Sequence, residues 1–124
     1  MASELRVNTL KDASGNNSVA TSFVADGSAK ARHASSADGA TLYGSFNVSS
    51  LGDTATGKET ITFTNAMSDL NYSAVSGSGS QANGSARMML IDSLGTSSYQ
   101  VHAYNSSNAL GDTSSSSTVH GDLA

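Results

Sequence analysis

Short runs of alternating apolar and polar residues, each closed by a turn rich in Gly, Asn or Asp roughly every 8–12 residues, restrict this chain more than any other feature. A period of two places alternate side chains on opposite faces of an extended strand. The clearest run puts Glu59, Ile61 and Phe63 on one side and Thr60, Thr62 and Thr64 on the other. A second sets Tyr99, Val101 and Ala103 against Gln100, His102 and Tyr104, and a third sets Leu5, Val7 and Thr9 against Glu4, Arg6 and Asn8. Residues 41–50, 72–75 and 118–123 read as further strands, and residues 19–25 as an extended piece ending at Asp26-Gly27. Residues 86–92 form an apolar run, around Met88-Met89-Leu90-Ile91, of a length that suits a buried strand. Residues 29–36 read as strand or linker, 65–71 as a short connection with one helical turn, and 76–85 and 105–117 as loops. Roughly seven or eight short strands predict an all-β fold, an antiparallel β-sandwich of jelly-roll-like kind. Phe46, Ile61, Phe63 and Leu90 are the expected core.

Such a core is thin. With three Phe, four Tyr and no Trp, one subunit is short of apolar area, and the absence of Cys removes disulfides and thiolate metal sites as remedies. Self-association remains, and a homotrimer is expected. The 124 residues suit one domain, divided as an N-terminal docking arm or strand over 1–18 and a β-sandwich over 19–124. The arm is expected to dock through Leu5, Val7 and Leu10, because a chain end that keeps strand alternation beyond a Gly- and Asn-rich turn needs a partner to order it. A net charge of −4 supplies no basic stripe for phosphates, so neither nucleic acid nor an anionic membrane is an expected partner. Residues 1–25 hold no sustained apolar run, and no signal peptide or membrane insertion is expected.

Nothing in the spacing singles out catalysis, and no cofactor is expected. Serines abound, but no Gly-x-Ser-x-Gly elbow holds one as a nucleophile, and the carboxylates sit mainly in turns, where Asp caps the backbone. Gly77-Ser78-Gly79-Ser80 is glycine-rich without the Lys-Ser/Thr of a phosphate loop. His33, His102 and His120 lie far apart, although His33 or His102 could form a ring of three about a trimer axis. Tyrosine rings can stack on sugars, and Tyr104 with His102, on the polar face of their strand, are the candidate receptor or host-glycan contacts.

Two segments carry a resemblance. The first is Phe46-Asn47-Val48-Ser49-Ser50-Leu51, Asp53, Gly57, Thr60-Ile61-Thr62-Phe63-Thr64, Ala66-Met67-Ser68-Asp69 and Asn71-Tyr72. The second is Leu5-Arg6-Val7-Asn8-Thr9-Leu10-Lys11-Asp12-Ala13-Ser14-Gly15-Asn16-Asn17. Both resemble tail-fibre proteins of marine bacteriophages, and Gly121-Asp122-Leu123-Ala124 is similar to their ending. The likeness departs at residues 31–40, where those proteins carry a Trp-containing strand and this chain has Arg32-His33-Ala34-Ser35, and no long shaft is present. What it implies is a non-enzymatic virion component, assembled in the host cytoplasm with other phage virion proteins, in host attachment or particle architecture. A tail fibre or tail-tip-like part is the leading expectation, and the size suits a short tip, a tail appendage or a capsid decoration better than a long fibre. The alternatives are a capsid decoration (cement) protein and a carbohydrate-binding module.

Overall fold

The computed structural model describes residues 6–78 and 87–124. Among these described residues, ten strands and one short helix run in the order β1 (Thr9–Lys11), β2 (Ser18–Ala20), α1 (Thr21–Gly27), β3 (Ala31–Ser35), β4 (Leu42–Phe46), β5 (Val48–Ala55), β6 (Lys58–Phe63), β7 (Ser73–Ser78), β8 (Met88–Asp92), β9 (Ser98–Tyr104) and β10 (Ser115–His120). The protein is therefore mostly β, with every strand pair antiparallel. Eight strands form two four-stranded sheets, ordered β4-β3-β10-β7 and β5-β6-β9-β8, and β1 and β2 pair apart from them.

Alternation decides which residues face inward. On β6, Glu59, Ile61 and Phe63 are buried as expected, and Ile61 stands opposite Tyr99 and Glu59 opposite Val101 on β9. Tyr99, Val101 and Ala103 are buried in turn. Ala31 of β3 and Val119 of β10, from the other sheet, join Ile61, Phe63, Tyr99 and Val101 in one cluster with Val48, Met67 and Tyr72. Each such large apolar side chain taken from water contributes about 1.5–3 kcal/mol, so this cluster is the main source of stability. Phe63 lies between two rings, with centroids 5.9 Å from Tyr72 and 5.4 Å from Tyr99.

Several expectations are corrected. Residues 41–50 are not one strand, because Asn47 adopts φ 53°, a left-handed conformation that Asn tolerates better than most residues. Its side chain fixes the corner by accepting from the Asn65 backbone N–H at 2.7 Å and donating to the Asn65 carbonyl at 3.0 Å. The corner carries the chain from one sheet to the other and re-aims the side chains on either side. Val48 is buried, while Phe46 is 55% exposed and is not core. Leu90, 48% exposed, is not core either. On the edge strand β8 it is Met89 and Ile91 that pack on the core, and a slip of one residue exchanges the faces. Of the two readings of residues 29–36, strand or linker, the structure has the strand: β3 is an inner strand, paired on both sides with β10 and β4. The expected 105–117 loop ends early, since β10 begins at Ser115. Within 65–71 there is no helical turn; Met67 instead bridges Leu123 across one end of the core. Of the consecutive strands β3 to β10, three pairs form hairpins, β3 with β4, β5 with β6 and β8 with β9, and the other connections, β4 to β5, β6 to β7, β7 to β8 and β9 to β10, pass from one sheet to the other.

The N-terminal part differs most. Residues 19–25 hold the end of β2 and most of α1, not an extended piece. The β1–β2 hairpin is closed by Asp12, whose carboxylate accepts from the Ser14 hydroxyl, the Asn16 backbone and the Asn17 side-chain amide, and these bonds hold its pKa below the usual carboxylate value. No residue between 6 and 28 is buried, and the core cluster begins at Ala31. The Gly79 and Gly84 part of the expected 76–85 loop lies outside the described residues; Ser76, Gly77 and Ser78 belong to β7.

Candidate functional site

The inner face of the β4-β3-β10-β7 sheet is largely polar. Alternation along β3 sends His33 and Ser35 inward, and along β10 it sends Ser115 and Ser117 to meet them. His33 uses both ring nitrogens: Nδ1 lies 2.7 Å from Ser117 Oγ and Nε2 lies 2.9 Å from Ser115 Oγ. Glu59, arriving from β6 of the facing sheet, accepts from Ser35 at 2.9 Å and from Ser115 at 2.6 Å. The Tyr99 hydroxyl, from β9, completes the chain by bonding Ser117. A continuous path of hydrogen bonds thus runs Tyr99–Ser117–His33–Ser115–Glu59–Ser35 and crosses between the sheets three times, at Tyr99–Ser117, Ser115–Glu59 and Glu59–Ser35.

Buried polar groups of this kind cost stability unless satisfied, and here each hydroxyl and both imidazole nitrogens have a partner. Burial, as the dominant cause, raises the Tyr99 phenol to about 12 and so keeps it neutral. The set contains serine, histidine and a carboxylate, yet it is not arranged as a hydrolytic triad. Glu59 lies 3.8 Å from Nε2, the same nitrogen that meets Ser115, instead of backing the far side of the ring. The cleft beside Glu59, bordered by Asp53, Asp112 and Ser115, has a volume of about 10 Å³, room for one water and not for a substrate. The arrangement joins two sheets. Sequence reading missed it because His33, Ser35, Ser115 and Ser117 look like loop polarity; the available signal was their spacing of two on strands that also carry Ala31 and Val119.

A second polar row lies on the outer face of the β5-β6-β9-β8 sheet. Thr60, Gln100 and Asp92 stand directly opposite one another on β6, β9 and β8. The Gln100 side-chain nitrogen donates to Thr60 Oγ1 at 3.1 Å, and its carbonyl oxygen accepts from His102 Nε2 at 3.0 Å. Asp92 Oδ2 lies 3.6 Å from His102 Nδ1.

The expected contact residues do not come together. His102 is only 4% exposed and engaged with Gln100, so it presents no surface to a receptor or glycan, and Tyr104 is half-buried opposite Met88. Neither His33 nor His102 can form a ring about a trimer axis, since both are enclosed within the subunit. No group of three metal-binding side chains occurs among the described residues. Of the docking residues, Leu5 lies outside the described residues, while Val7 and Leu10 are 39% and 44% exposed. Leu10 borders a shallow groove of about 320 Å³ along the hairpin, together with Lys11, Asp12, Asn17, Ser18 and Val19. No protein-family model, no curated protein and no solved structure matches the chain.

Proposed function

We propose that this chain is a non-catalytic structural component of a bacteriophage particle, tail-fibre or tail-tip-like, whose two sheets form a β-sandwich body and whose N-terminal segment is the docking end. The observation that carries the reading is the exposure of residues 6–28. Val7, Leu10, Val19, Phe23 and Val24 are 39%, 44%, 40%, 73% and 46% exposed, and none of them joins the core. A lone two-stranded hairpin and a seven-residue helix are each marginal in water. A partner surface that covers these five side chains supplies the missing burial. The resemblance of residues 5–17 and 46–72 to phage tail-fibre proteins names the class of that surface, other virion proteins. Exposed Tyr43, Phe46, Val75 and Met88 on the body favour self-association as a homotrimer by the same argument.

Deleting residues 1–28 tests it. The truncated chain is expected to keep its β-sheet circular dichroism and its cooperative melting while its incorporation into particles collapses. Undiminished incorporation would refute the docking role. A capsid-decoration role differs only in where the arm binds, and locating the chain on the particle separates the two.

A further inference from the structure

Cross-strand Thr–Gln pairs are ordinary in sheets, but the row on β6, β9 and β8 places a third and a fourth group where chemistry would need them. Thr60 offers a hydroxyl 3.1 Å from the Gln100 amide nitrogen, with the amide carbon one bond beyond. His102 Nε2 holds the Gln100 carbonyl oxygen at 3.0 Å, the position from which charge on that oxygen is stabilised. The Asp92 carboxylate faces the other nitrogen of the same ring at 3.6 Å. A nucleophile, an electrophile, a hydrogen-bond donor to the developing oxyanion and a group that orients the donor are thereby assembled. His102 is buried, and Thr60 and Gln100 are both half-buried, which limits water at the reacting carbon.

We propose that Thr60 and Gln100 join in an intramolecular ester bond. Thr60 Oγ1 attacks the side-chain carbonyl carbon of Gln100 and forms a C–O bond, while His102 Nε2–H stabilises the tetrahedral oxyanion. The C–N bond then breaks, the Thr60 hydroxyl proton passes to the departing nitrogen, and ammonia leaves. An alcohol and an amide become an ester and ammonia, with no oxidant or cofactor. The product staples β6 to β9, the two inner strands of their sheet, in a chain that has no cysteine for a disulfide.

Mass spectrometry of the purified full chain decides the matter. The folded protein is expected about 17 Da below its sequence mass, the loss of one ammonia. Trypsin cuts after Lys58 and Arg87, placing Thr60 in peptide 59–87 and Gln100 in peptide 88–124, so the ester leaves these two as a single linked species. Hydroxylamine should separate them. Thr60→Val and Gln100→Ala should each restore full mass and separate peptides, and His102→Phe should slow formation at least tenfold. A wild-type chain at full mass with two free peptides overturns the proposal and leaves only a hydrogen-bonded pair. So does a 17 Da deficit that persists in Thr60→Val, which would place the ammonia loss elsewhere.

Discussion

Raising the pH should weaken the fold, chiefly through Tyr99. It is fully buried, its hydroxyl bonds Ser117, and it stands 3.4 Å from His33 Nδ1 where the apolar core meets the polar network. Burial is the largest influence on its ionisation, offset in part by the Ser117 bond and reinforced by Tyr72 and Glu59, and the result is a rise from the ordinary 10.0 to about 12. The folded state therefore favours the neutral phenol more strongly than the unfolded chain does. The associated stability is fully present below pH 10 and is lost as the pH climbs towards 12. A difference of two units corresponds to about 2.7 kcal/mol at the alkaline limit. Urea denaturation midpoints between pH 9 and 12 should fall accordingly, and phenolate absorbance should show a tyrosine ionising well after exposed ones. Tyr99→Phe should flatten the alkaline decline, leaving a residue from Tyr72, whose phenol burial also raises. At neutral pH the same variant should cost about 0.5–1.5 kcal/mol for the lost hydrogen bond. An unchanged alkaline slope in Tyr99→Phe, or every tyrosine of the folded chain ionising together near 10.0, would refute the placement of this ring.

Phe63→Ala should destabilise by about 3–5 kcal/mol in denaturant titration, whereas Phe46→Ala should stay within about 0.5 kcal/mol, and equal losses would show that the corner at Asn47 is misplaced. Glu59→Ala removes the acceptor of two buried hydroxyls, Ser35 and Ser115, and should cost about 2–4 kcal/mol, read as a lowered thermal midpoint; a neutral outcome would mean that the network does not hold the sheets. Sedimentation equilibrium should give three times the 12.5 kDa chain mass, and a species at 12.5 kDa would contradict trimer formation.

What the sequence made legible was alternation undisturbed by backbone events. β6 and the inward face of β9 follow from period two alone, because an antiparallel strand with one buried face must show it. Phe46 departs from the core because a single left-handed residue next to it, Asn47, turns the strand, and no count of apolar residues reports a φ angle. The outward face of Leu90 is not legible in the sequence because four consecutive apolar residues, Met88 to Ile91, carry no alternation to fix a register. The helix α1 lacks a side-chain N-cap and any buried stripe, the two signals by which a helix announces itself. The polar network escaped notice for a different reason. Serine spaced by two reads as a solvated strand or loop, and only the pairing of β3 with β10, opposite Glu59, turns those hydroxyls into each other's partners.

Electron microscopy of purified phage particles labelled with an antibody raised against the β3–β10 body addresses the virion assignment most directly. Label concentrated at the tail is the expected result. Particles that carry no label, with the chain left in the soluble fraction of the lysate, would contradict it.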